Sequence, residues 1–311
     1  MRFLITGGAG FLGAALANKL AAIDHDVRVL DDLSSGDRSA LSSTVHFTRG
    51  DINDVPLLWT MLQDVDCVYH LAARVSVAQS ILYPRDYNKT NVGGTVSLME
   101  AMRDAGIHRV VLTSSGAVYG QQKNQPVSED VLPQPDSPYA VSKWAAEQYV
   151  HTIGRLWSIE TVALRIFNTY GPGQSLPASH APVVTRFLEA ISSGGSAVIY
   201  GDGEQTRDFV YVDDVVDAMV KAATAEQVNR QILNIGSGVE MSVNQLIAEI
   251  EQVVNRKAHR IMNSEKSGGV RRLVADRSRA EELLDFQAKI KLGAGLRRTV
   301  LHDNRFNTKN I

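Results

Sequence analysis

In the segment SPYAVSKWAAEQYV, residues 137–150, Tyr139 stands four places before Lys143. On a helix that spacing puts a phenol and an ammonium on one face, about one turn apart. A nearby cation favours the phenolate, so the pair predicts a tyrosine shifted from its usual pKa of about 10 toward neutrality. By itself such a pair is common, and packing would explain it. Its neighbours change the weighting. Ser114 and Ser115 close the run HRVVLTSS, residues 108–115. Groups at the carboxyl end of a strand in a doubly wound sheet face the ligand crevice. If that strand end meets the helix start, Ser115, Tyr139 and Lys143 make an acid–base set.

A second pattern supplies a partner for such chemistry. LITGGAGFLGAAL places Gly7, Gly10 and Gly13 between a strand-like and a helix-like segment. Glycines there permit a tight turn and close backbone approach to phosphate, and the helix amino end favours the anion. Two residues separate the first pair of glycines, unlike the G-x-G-x-x-G form. Asp31, 18 residues after Gly13, and Asp32 close the next strand. An aspartate there accepts hydrogen bonds from the ribose hydroxyls of NAD and repels the extra phosphate of NADP.

The elements that must position these groups alternate. Strand-like runs lie at 2–6, 26–32, 45–51, in DCVYHLAA and at 108–115, with helical segments at 11–22, in VPLLWTMLQ and around 86–105. The order predicts an α/β fold, a doubly wound parallel sheet of Rossmann type. Strands such as VVLTS lack polar alternation, as burial on both faces requires. From about residue 165 the pattern loosens into a long Pro- and Gly-punctuated loop. Helices at 182–193 and 243–254 and the runs SAVIYGDG, RDFVYVDDVVDAMVKAA and QILNIGSG follow. We expect a smaller mixed α/β C-terminal lobe grown onto the first.

Bulk properties narrow the function classes. The 311 residues are 44% hydrophobic and 21% charged, with a formal net charge of -2, which leaves no basic footprint for nucleic acid. No stretch approaches the ~20 apolar residues of a membrane span, and the chain starts on a strand-like run rather than a signal core. Cys67 is the one cysteine, so no internal disulfide forms, which fits a reducing, cytoplasmic setting. The eight histidines show no metal-ligand spacing.

Taken in order, TGGAGFLG, DDLSSG, GDI, HLAA, NVGGT, SSGAVYG, YAVSK, LRIFNTYGPGQ, GDGEQTRDFVYVDD and VRRLVADRSRAEELL cover nearly the whole chain. They resemble the extended short-chain dehydrogenase/reductase superfamily, and within it the NAD-dependent nucleotide-sugar epimerases and dehydratases. The resemblance implies Ser115, Tyr139 and Lys143 as catalytic residues, Lys143 also holding the nicotinamide ribose. For NAD it implies Gly7, Gly10, Phe11, Leu12, Gly13, Asp31, Asp32, Ser35 and Asn91. Asp51 and Ile52 would touch the adenine, and Leu71, Ala72 and Ala73 the nicotinamide side. Asn168, Arg207 and Lys266 would bind the diphosphate of a nucleotide sugar, and Tyr200 its base. It further implies an NAD-binding domain over 1–165, rejoined by segments near 208–236, a nucleotide-sugar lobe over 166–311, and a homodimer paired through helices around 91–105 and 139–156.

Within that family, relatives that eliminate water or carbon dioxide resemble one another in carrying acids directly after the catalytic hydroxyl. Here Gly116 and Ala117 follow Ser115, and elimination lacks its proton donor. The expectation is therefore a UDP-hexose 4-epimerase that inverts C4 through a 4-keto sugar. A dehydratase or oxidoreductase of the same family, and a non-catalytic NAD-binding regulator, are the alternatives. Lys266, Ser267, Gly268 and Gly269 stand where many relatives have Arg-x-Gly-Asp, and Leu273 where the family tunes its pocket beside the sugar C2. Plain and N-acetylated hexoses both remain open, and Arg271 and Arg272 suit either substrate contact or a solvated face.

Overall fold

The computed structural model describes residues 1–176, 181–265 and 269–306. Its first half runs β1 (Arg2–Thr6), α1 (Phe11–Ala22), β2 (Asp26–Asp31), β3 (His46–Arg49), α2 (Val55–Met61) and β4 (Cys67–His70). Two short helices, α3 (Val77–Leu82) and α4 (Pro84–Tyr87), lead to α5 (Gly94–Ala105), β5 (Arg109–Ser115), α6 (Pro138–Trp157) and β6 (Glu160–Ile166). Next come β7 (Asn168–Tyr170), α7 (Val183–Ser192), β8 (Ser196–Tyr200), β9 (Thr206–Tyr211), α8 (Val212–Ala222) and β10 (Gln231–Ile235). The chain closes with β11 (Glu240–Ser242), α9 (Val243–Val254), β12 (His259–Asn263), α10 (Ser278–Leu284) and α11 (Leu292–His302).

Seven parallel strands pair in the order β3-β2-β1-β4-β5-β6-β10. The centres of β1, β4 and β5 are buried apolar residues, among them Leu4, Ile5, Val68, Val110 and Val111. Helices on both faces demand that composition. The chain steps outward in opposite directions from β1 and β4. The switch point between them opens a crevice at the strands' carboxyl ends, where a doubly wound sheet takes its ligand. The expected α/β architecture is the one observed. Two smaller sheets, β11-β9-β7 and β12-β8, complete the fold. β10 returns to the large sheet beside β6, and α8 packs on α1.

β6 has no counterpart among the strands expected from the sequence, β7 opens the expected loop, and two expected elements change shape. The helix read around 86–105 is broken: α4 passes through a π-helical turn, Asn88–Gly93, before α5 begins. π turns of this kind are frequent at functional sites, and the buried side chain within this one is Asn91, described below. The strand read over 45–51 keeps only His46–Arg49, because Asp51 folds back onto the Asn53 amide at 2.9 Å.

Candidate active site

The turn after β1 and the loop after β4 touch across the crevice. Gly7 takes φ +69°, a region that glycine enters without strain, and a Cβ there would stand 2.6 Å from the Ala72 nitrogen. A Cβ on Gly13 would strike the Gly7 carbonyl oxygen. Leu71 and Ala72 are fixed to β1 through Thr6, the Leu71 amide donating to its carbonyl at 3.0 Å and the Ala72 amide to its hydroxyl at 3.4 Å. Ala73 continues the same loop, partly exposed. α1 opens at Gly10 with no side-chain cap and no acid in its first turn, which Phe11 and Leu12 begin. Its amide donors and dipole therefore suit an anion such as a dinucleotide pyrophosphate.

Asp31 ends β2 beside that turn. Its Oδ2 accepts the Ala9 amide at 3.0 Å and its Oδ1 the Leu33 amide at 2.8 Å. Burial raises its pKa and the two amides pull it back. Each carboxylate oxygen keeps a lone pair for a ribose hydroxyl, so the residues present fit NAD. Asp32 is exposed and accepts the Ser34 amide at 2.8 Å, with Ser35 exposed next to it. The Asn53 backbone amide, then its side chain, holds the exposed Asp51 carboxyl below the usual range. Ile52 is buried against Gly94.

α6 starts as its sequence dictates: Ser137 caps it by accepting the Ala140 amide at 3.2 Å, with Pro138 in the first turn. Tyr139 is 9% exposed and Lys143 5%. The Tyr87 ring meets Tyr139 edge-on, centroids 6.4 Å apart. Ser115 accepts the Ala117 amide at 3.2 Å, and its side chain lies close enough to the Tyr139 phenol to lower its pKa. The strand end and the helix start converge.

The acidity expected from the spacing is not found. Burial raises the Tyr139 pKa, the Ser115 side chain lowers it in part, and Tyr87 raises it again. Burial also drives the Lys143 ammonium down to about 8, against the charge of Glu147. Desolvation disfavours the phenolate and the ammonium alike, and Lys143 is not among the groups that shift Tyr139.

His70, at the end of β4, lies near Lys143 and is pushed down to about 3 by burial and then by that lysine's charge. Its tautomer follows from the hydrogen bonds. Thr95 gives its one hydroxyl hydrogen to the Asn91 carbonyl at 2.6 Å. His70 must therefore donate from Nε2 to Thr95 at 2.9 Å and accept at Nδ1 from Thr6 at 2.7 Å. Asn91 is held on every side: its Oδ1 accepts the Arg74 amide at 2.7 Å, and its Nδ2 donates to the Arg74 carbonyl at 3.0 Å and to Ser142 at 2.9 Å. Ser142 in turn donates to the Tyr139 carbonyl at 2.7 Å. Asn91 thus ties the loop that follows β4 to α6.

On the other side of the crevice, the Asn168 side chain donates to the Asp208 carbonyl at 3.4 Å. Arg207, partly buried, donates to the Thr206 carbonyl at 2.7 Å and to that of Val270 at 2.6 Å. Burial lowers its pKa while Asp136 raises it. The Arg186 guanidinium lies 5.1 Å from the Tyr200 ring centroid. Lys266 falls outside the described residues. Arg271 and Arg272 make exposed ion pairs with Asp202 and Glu240, the arrangement of a solvated face. Leu273 is buried with Val118, Tyr119 and Phe167.

Glu147, Arg165, His70 and Arg186 were not expected from the sequence. Glu147 had a signal, since it repeats the four-residue step from Tyr139 to Lys143. His70 lies in a run that the sequence reads as a strand, and Arg165 in β6, where the sequence marks none. Among the described residues no group of three or more His, Cys, Asp or Glu could hold a metal ion.

Residues 3–236 match the NAD dependent epimerase/dehydratase family. The UDP-glucose 4-epimerase of Mycolicibacterium smegmatis is 40% identical over 307 residues, 96% of this chain and 97% of that protein. The UDP-glucose 4-epimerase of Thermotoga maritima, solved with UDP-glucose, superposes with a TM-score of 0.93 at 35% identity, covering 97% of this chain and 98% of its own. The UDP-N-acetylglucosamine 4-epimerase of Methanobrevibacter ruminantium, in complex with UDP-N-acetylmuramic acid, gives a TM-score of 0.91 at 34% identity, covering 96% of each chain.

Proposed function

Because the chain belongs to the NAD dependent epimerase/dehydratase family, we propose that Ser115, Tyr139 and Lys143 carry its reaction. The enzyme is an isomerase that inverts C4 of a UDP-sugar with NAD as cofactor. The observation that carries the residue assignment is the packing of α6 on β5, which sets Tyr139 close enough to Ser115 for the serine to act on the phenol. Gly116 and Ala117, not acids, follow the serine, which separates inversion from elimination.

Acting as the phenolate, which the positive charge of a bound nicotinamide would favour against burial, Tyr139 takes the proton of the C4 hydroxyl, and Ser115 donates to the same oxygen as charge develops there. NAD, when bound, supplies the two-electron oxidation at C4 and its reversal. The 4-keto sugar turns over in the crevice, and Tyr139 returns the proton to the oxygen of the new epimer. The Gly7–Gly13 turn and the open end of α1 would hold the pyrophosphate, Asp31 the adenosine ribose and Lys143 the nicotinamide ribose. Asn168, Arg207 and Lys266 are assigned to the substrate diphosphate and Tyr200 to the uracil. The division is an NAD-binding domain over 1–165, completed by later segments, and a nucleotide-sugar lobe over 166–311.

A homodimer in the cytoplasm completes the reading. Its support is an apolar stripe at helical spacing on α6, where Val141, Tyr149 and Leu156 are 48%, 46% and 68% exposed, alongside Ile81 and Leu82 of α3. The single cysteine, Cys67, is buried.

The test is incubation of the purified protein with UDP-glucose and no added NAD, followed by proton NMR. Inversion at C4, reaching the same equilibrium from either epimer, is the expected result. Net NADH formation or a C6-deoxy product would replace this reading with another.

A further inference from the structure

Ser114 of β5 and Arg165 of β6 are register partners in the sheet, and both reach the same residue of α6. The Glu147 carboxylate accepts Arg165 Nε at 3.0 Å and Arg165 Nη2 at 2.8 Å, and the Ser114 hydroxyl hydrogen-bonds its Oε1. The Arg165 and Glu147 side chains are 2% and 0% exposed. The Arg165 guanidinium lies 4.7 Å from the Tyr119 ring centroid, and Tyr119 donates to Asn234 at 2.7 Å.

A buried ion pair is a weak source of stability, because desolvating two charges offsets their attraction. What this one contributes is geometry. Glu147 lies one turn beyond Lys143 and two beyond Tyr139 on the same helix face. Ser114 immediately precedes Ser115. One carboxylate thus ties the strand that ends in Ser115 to the helix that carries Tyr139 and Lys143.

We propose that Glu147 is a positioning residue: with Arg165 and Ser114 it sets how far the Tyr139–Lys143 face of α6 stands from Ser115. The inference rests on the assignment of those three residues above. An ion pair that only held the fold would alter stability and leave the reaction per folded site unchanged.

Two holoenzyme variants separate these outcomes. Ser114→Ala removes one hydrogen bond and keeps the ion pair. The double variant Glu147→Met with Arg165→Met removes both charges, so neither is left buried and unpaired. UDP-glucose turnover is measured per bound NAD. The bound NAD is then reduced with borohydride, and the emission of the resulting NADH is recorded. A displacement of about 1 Å can cost on the order of 100-fold in rate, so we expect kcat to fall about tenfold or more in the double variant and about threefold in Ser114→Ala, with KM within about twofold. We also expect the NADH emission to shift in the double variant. Unchanged kcat with unchanged emission in an NAD-loaded double variant overturns the proposal. Should the double variant not fold, Ser114→Ala decides by the same criteria. If the wild type converts no UDP-sugar, the proposed function falls, and the emission alone decides the positioning role: a shift supports it and no shift overturns it.

Discussion

The Asp31 carboxylate holds the Ala9 amide at 3.0 Å, so the end of β2 props the glycine turn that follows β1. One residue therefore shapes the glycine turn and keeps lone pairs free for a ribose hydroxyl. Hydrogen bonds to a charged group contribute about 1.5–3 kcal/mol each. We expect Asp31→Ala to weaken NAD binding by roughly tenfold to 100-fold, at about 1.4 kcal/mol per decade, and to narrow the preference over NADP. Dinucleotide titration of the variant reads both, and an unchanged preference would remove Asp31 from cofactor choice.

Tyr139→Phe keeps the ring against Tyr87 and removes only the hydroxyl. General acid–base catalysis contributes about 10²–10⁴-fold, and the loss in kcat should fall in that range. Bound NAD and the thermal midpoint should stay at wild-type values. A variant that works at near wild-type rate would mean another group carries the C4 proton.

Asn91→Ala should act through structure before it acts on cofactor. It releases three hydrogen bonds, two to Arg74 and one to Ser142, which itself braces the Tyr139 carbonyl. Exposing such buried partners costs about 1–3 kcal/mol. In a chain of this size that is a fall of about 1.5–5 °C in Tm. Calorimetry of the holoenzyme checks it, and an unchanged Tm with a lost cofactor would give Asn91 a role in holding NAD instead.

Asn91 also shows where sequence reasoning reaches its limit. Strand runs without polar alternation, the glycine turn and the Ser137 cap of α6 are local signals, and each element they define is present. The meeting of Ser115 with Tyr139 was legible as well, because strand ends in such a sheet share one crevice. The balance of burial against charge was not. The spacing of Tyr139 and Lys143 gives their separation on the helix but says nothing of how far both are removed from water. Long-range partners such as Arg165 for Glu147, or Arg74 for Asn91, leave no periodic trace in the chain, so they emerge only when the strands and helices are brought together.

His70 sets the acid limit of the fold. Its imidazole is held neutral between Thr6 and Thr95, and burial takes its pKa from the usual 6.5 to about 3. Below pH 6.5 the unfolded chain binds a proton there that the folded chain refuses, so stability falls as pH drops from about 6.5 toward 3 and is fully present above that window. His70→Gln keeps a donor and an acceptor on a side chain that does not titrate. Urea midpoints measured from pH 7 to about pH 4 should decline more steeply for the wild type than for the variant. Parallel declines would assign the acid sensitivity to carboxylates elsewhere in the fold.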